Sequence, residues 1–157
     1  MDSYLILKLI HIISAAVLAG TGIGIAYFML MASRSGSPQA VAVTARHVVL
    51  ADWIFTTPAI LIQFVTGIWL MKQLHYSFTS AWFVVVISLF VFIGGCWVPV
   101  VFIQYRVKNI AETREESNVL DPRFRKLMAV WTALGIPAFL SIVVMFWLMV
   151  FKPLPTM

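Results

Sequence analysis

The sequence predicts an all-α integral membrane protein, a four-transmembrane-helix bundle with both termini on the non-cytoplasmic side. Three observations carry that prediction. Hydrophobic residues fill 62% of the 157 positions and charged residues only 11%, and the mean hydropathy is +0.98, beyond what a water-soluble domain carries. Four apolar stretches are each long enough to cross a bilayer core of about 30 Å, which takes roughly 20 helical residues. Lysine and arginine are divided unequally between the two sets of span ends, as the retention of positive charge in the cytoplasm requires.

The spans are expected at about 4–32, 48–73, 80–106 and 126–151. They leave little chain for anything else, so residues 1–157 read as a single transmembrane domain. The first span lacks the basic start of a secretory signal, since Met1, Asp2, Ser3 and Tyr4 precede it, and its apolar run continues to about Ala32. "SRSGSPQ" at 33–39 is a turn-rich break, and the following "AVAVTARH" either begins the second helix early or forms an interfacial turn. "KQLHYSFTSAW" is a short hairpin connection. The polar stretch "RVKNIAETREESNVLDPRFRK" alternates in charge and extends the third helix before breaking at Asp121-Pro122.

One side of the bundle holds Arg34, Arg46, Arg106, Lys108, Arg114, Arg123, Arg125 and Lys126; the other holds only Lys8, Lys72 and Lys152. The net charge of +5 therefore reflects membrane topology and not a nucleic-acid surface. Pro58, Pro99 and Pro137 fall within spans two, three and four, where each removes a backbone donor and tends to kink its helix. Gly20 and Gly24 have the GxxxG spacing that lets another helix approach closely, either within the bundle or in a homodimer. Cys96, the single cysteine, reads as a small packed hydrophobe.

The residues that suggest chemistry lie in "LKLIHII", residues 7–13, where Lys8 and His11 interrupt unbroken apolar sequence. Ionisable groups at membrane depth are costly and usually face the bundle interior. A neutral, hydrogen-bonded imidazole, haem or other metal ligation, and proton transfer all account for His11. Haem iron needs an imidazole on a rigid element, an apolar slot for the macrocycle and cations near the surface for the propionates. Lys8, Lys72 and Lys152 share the side of His11 and can supply those cations. Met145, at the depth of His11, or His75 in the outer loop can complete the coordination, and a five-coordinate iron is the alternative. His47 reads as interfacial. Asp52 is expected to pair with Arg46 or Arg106, with proton uptake as the sharper alternative. Gln63 and Gln104 are expected to join helices by hydrogen bonds, and Trp69, Trp82 and Trp147 to sit at the outer boundary.

"LKLIHIISAAVLAG", "TTPAILIQFVTGIWL" across 56–70, Trp82, "IPAFLSIVV" and the closing "FKP" together resemble the HemJ family of small bacterial membrane proteins, and more closely a related group of predicted integral membrane proteins. HemJ proteins are four-helix, haem-b-binding protoporphyrinogen oxidases. The resemblance implies a bacterial inner-membrane location, haem b as cofactor, His11 as its axial ligand and the "TPA" turn at Pro58 as scaffold. It implies a redox role, as oxidase or electron carrier with a separate redox partner. It does not carry the oxidase activity across, because "AWFVVVISLF" lacks the basic residue that family places after the third-helix tryptophan. A cofactor-free accessory or structural subunit is the competing class. Transport is disfavoured by the scarcity of intramembrane carboxylates and the lack of paired broken helices. The dispersed methionines argue against copper transfer, and no phosphate loop, zinc spacing or nucleophile-base pair is present.

Overall fold

The computed structural model describes residues 3–113 and 122–152. Helix α1 spans Ser3–Ser35, α2 Pro38–Ala51, α3 Thr57–Gln73, α4 Ala81–Glu112 and α5 Pro122–Phe151, with a π-helical turn, Asp52–Thr56, joining α2 to α3. The segment Pro38–Gln73 is thus one 36-residue span, and among the described residues four helical spans are long and apolar enough to cross a membrane.

The helices outrun the apolar limits at the charged ends, with "AVAVTARH" beginning the second span early and the polar stretch extending the third, as the sequence allowed. The second span starts at Pro38, well before residue 48, because Gly36 (φ 71°) reverses the chain and Ser37 caps the helix, its Oγ accepting from the Ala40 N–H at 3.3 Å. Pro38 occupies the first turn, where a missing N–H costs nothing. The third span runs on to Glu112, whose Oε1 accepts from Arg46 Nε at 2.6 Å, and the fourth begins at Pro122. The expected break at Asp121 lies outside the described residues.

Pro58 shapes the second span. A proline cannot donate to the carbonyl one turn back, and the helix widens just before it. The Thr57 N–H reaches back five residues to the Asp52 carbonyl, which also accepts from Thr57 Oγ1 at 2.9 Å. Beyond this turn the span changes neighbours. Helix α2 packs against both α1 and α4, whereas α3 leans on α1 and makes no extensive backbone approach to α4 or α5, which pair with each other. Pro99 and Pro137 are accommodated within continuous α4 and α5.

The apolar core consequently sits in the half away from the chain termini, where Met29, Val41, Ala45, Val107 and Phe124 interlock across four helices. In the terminal half α1 pairs chiefly with α3 and α4 with α5. The two pairs are bridged by Phe64 and Phe90, with ring centroids 5.9 Å apart, and by Lys152 Nζ donating to the Tyr76 hydroxyl at 2.9 Å. Gln73 Nε2 donates to Ser3 Oγ at 3.1 Å, tying α3 to the start of α1. Trp69 and Trp147 are exposed, whereas Trp82, in the first turn of α4, is buried and donates its indole N–H to the Leu148 carbonyl at 3.0 Å. Among the described residues no atom of another helix lies within 4 Å of a Cβ built at Gly20 or Gly24, so neither glycine makes a close helix approach within the bundle.

In lipid a core side chain gains packing but little from leaving solvent, because the bilayer is as apolar as the core. Met29→Ala, at a fully buried site, should therefore cost about 2 kcal/mol, the low end for such truncations. Phe28→Ala, at an exposed site, should stay within about 0.5 kcal/mol. Detergent-titration unfolding of both variants in bicelles measures the difference.

Candidate functional site

His11 is half-buried on the face of α1 that meets α3. Its Nδ1 lies 2.7 Å from Thr66 Oγ1, and Thr66 Oγ1 donates its own proton to the Ile62 carbonyl one turn back. A hydroxyl has a single proton to give, so Thr66 accepts from His11 and the ring carries its proton on Nδ1. Nε2 then holds a lone pair, and no described residue hydrogen-bonds it. The His11 carbonyl accepts from Gln63 Nε2 at 2.7 Å and from Ser14 Oγ at 3.0 Å. Both ends of the residue are thereby fixed to α3 or to its own helix.

Gly67 lies against the ring. A Cβ there would stand 3.4 Å from His11 Cε1, at the short limit of ordinary contact, so the ring rests close to backbone that glycine leaves bare. Gln63, Thr66 and Gly67 recur at helical spacing on one face of α3. Of these, sequence reasoning singled out Gln63 and gave it the helix-joining role it has; Thr66 and Gly67 it passed over. The available signal was a hydroxyl and a glycine side by side in the span expected to pack near a buried histidine.

The other candidate residues are dispersed around this centre. Lys8, one turn toward the membrane surface from His11, is exposed with its Nζ 5.7 Å from the Tyr4 ring centre. Lys152 sits over the Tyr76 ring at 4.9 Å. Lys72 lines a groove of about 300 Å³ with Val65, Ile68 and Trp69, on the side of α3 turned away from His11. Met145 is half-buried on α5, which touches α1 only sparsely. His75 is exposed in the turn after α3 with φ 54°. His47 is exposed, its Nδ1 2.9 Å from the Val43 carbonyl.

A family model described as "Predicted integral membrane protein (DUF2269)" matches residues 5–153. The chain belongs to that family. Of the two resemblances in the sequence, this is the one the comparison reproduces. No curated protein and no solved structure matches the chain.

In this DUF2269 member Asp52 does not form the ion pair expected from the sequence. Arg46 is engaged with Glu112 instead, and Arg106 lines a groove of about 430 Å³ with Asn109, Arg123 and Lys126 at the surface between α4 and α5. The carboxyl lies inside the span, buried at the π-turn, too deep for cations whose heads remain in the interface. Gln104 of α4 reaches the Asp52 carboxyl of the second span with its side chain, the helix-joining role expected of it, while its Oε1 is buried without a partner. Cys96 is buried and free, as a packed hydrophobe should be.

The His11–Thr66 bond joins α1 to α3 where few other polar contacts do. Thr66→Val removes the acceptor and leaves the imidazole N–H unpaired, so it should lower stability by about 1–3 kcal/mol. Thr66→Ser keeps the oxygen and should lose about 1 kcal/mol or less. The same unfolding titration separates the two.

Proposed function

We propose that this protein binds haem b within the membrane and has a redox role, with His11 as an axial ligand through Nε2. One observation carries the reading: Nδ1 is committed to Thr66, and Thr66 is itself committed to Ile62, which leaves Nε2 as the free donor. Histidine ligands of metals are ordinarily held in this way, the second ring nitrogen bonded to an acceptor that fixes tautomer and orientation. Phe64 of α3 and Phe90 of α4, with ring centroids 5.9 Å apart, belong to an apolar setting of the kind a macrocycle needs. Lys8 is the cation nearest in sequence for a propionate. Lys152 is a further one on the same side, and Lys72 serves only a group reaching around α3. Met145 and His75 stay the candidates for a sixth ligand.

Bound haem b supplies one-electron transfer between its ferric and ferrous states. The chain's part is to orient the ligand, exclude water and tune iron through the Thr66 bond. The bacterial inner membrane and the placing of both termini outside the cytoplasm belong to the same proposal; the charge division between the two sides supports the orientation. A porphyrinogen or quinol oxidase and an electron carrier both fit. The missing third-helix basic residue weighs toward the carrier.

The reading is tested by the absorption spectrum of detergent-purified protein before and after reduction with dithionite, with haem counted as its pyridine complex. A b-type spectrum near one haem per chain is expected, lost in His11→Ala and shifted in Thr66→Val. A protein that is colourless and takes up no added haemin would leave His11 as a helix-joining residue in a cofactor-free membrane subunit.

A further inference from the structure

Asp52, Thr56 and Gln104 form a second polar cluster, separate from His11 and unused by the haem reading. Asp52 and Thr56 open and close the π-turn of the second span. Gln104 comes from α4, and Trp97, two turns away on the same face of α4, donates its indole N–H to Asp52 Oδ1 at 3.5 Å. The three side chains are 5%, 5% and 2% exposed. Thr56 and Gln104 both turn their side chains to the Asp52 carboxyl, yet Asp52 Oδ2, Thr56 Oγ1 and Gln104 Oε1 are buried with no well-formed hydrogen bond. Buried polar atoms are nearly always paired, so three orphans around one carboxyl require an explanation. π-helical turns inside α-helices are frequent at functional positions.

The surrounding charges do not supply it. On α2, Arg46 bonds Glu112 and His47 turns back to the Val43 carbonyl. On α4, Tyr105 accepts from Trp53 at 2.7 Å and Arg106 lies in the surface groove with Arg123 and Lys126 of α5. On α1, Tyr27 is exposed. No lysine or arginine nitrogen lies within salt-bridge distance of the carboxyl among the described residues.

We propose that this cluster is a binding site for one small monovalent cation, taken up either as a proton on Asp52 or as Na⁺ among the three oxygens. The donor set is all oxygen, which selects hard cations. It contributes a single negative charge, so one positive charge leaves the site neutral inside the membrane, whereas a divalent ion leaves an uncompensated charge there. A proton on Oδ2 becomes a donor to the orphan oxygen of Thr56 or Gln104. Sodium uses all three as ligands, in the manner of oxygen-lined sites at irregular helical turns.

Infrared spectra of the purified protein at neutral pH, together with thermal unfolding in NaCl against choline chloride, test this on the wild type, Asp52→Asn and Thr56→Val. With a proton, the wild type shows a carboxylic-acid carbonyl band that Asp52→Asn loses and Thr56→Val shifts. With sodium, that band is absent, and a saturable stabilisation by Na⁺ is weakened in Thr56→Val and lost in Asp52→Asn. Thr56→Val keeps the carboxyl, so a poorly folding Asp52→Asn still leaves a readout. An ionised Asp52 with no Na⁺-dependent stabilisation overturns the proposal. Neither measurement uses haem, so it stands or falls independently of the His11 assignment.

Discussion

The missing N–H of Pro58 is the constraint on which the rest of the structure depends. Because the proline cannot complete the hydrogen-bond ladder, the preceding turn widens and Thr57 bonds back to Asp52. The two halves of the second span then serve different neighbours. The first half fills the space between α1 and α4, and the second half leaves α4 for α1. The widened turn marks where the second span passes from the core shared by four helices to its pairing with α1, and Asp52 lies at that turn.

The clusters illustrate opposite solutions to the same physical problem. At membrane depth a polar group has no water to turn to, so it bonds within the protein or bears a cost. Around His11 the donors and acceptors close in sequence: imidazole to threonine hydroxyl, hydroxyl to helix carbonyl, glutamine amide to the histidine's own carbonyl. Only the lone pair of Nε2 remains. Around Asp52 the chain stops short, with a long indole contact and three oxygens lacking partners. The first network holds two helices together and leaves one atom, Nε2, without a partner; the second leaves several oxygens so.

Burial is economical throughout. Large side chains such as Phe28, Leu61, Val91 and Phe102 point away from the protein, as they do when lipid replaces water around the helices. Small residues and hydrogen bonds do much of the joining, with Ala42, Ala45 and Ala111 fully buried in the packed half. Specificity in such a bundle comes from a few close approaches, Gly67 against His11 foremost, more than from the volume of its core.

Sequence alone determined the four spans, because hydropathy and length are local properties that the bilayer reads directly. It also singled out His11 and Asp52 as ionisable groups within apolar spans, and the 56–70 segment with Pro58 as part of the scaffold. Tertiary structure decided the partners. Arg46 goes to Glu112 and not to Asp52, Trp82 turns inward to Leu148, and Thr66 with Gly67 receives His11. Those pairings depend on helix rotation and on the π-turn's change of direction, and all four spans are apolar around most of their circumference. With almost no amphipathic contrast to fix rotation, the facing surfaces emerge only when the helices pack.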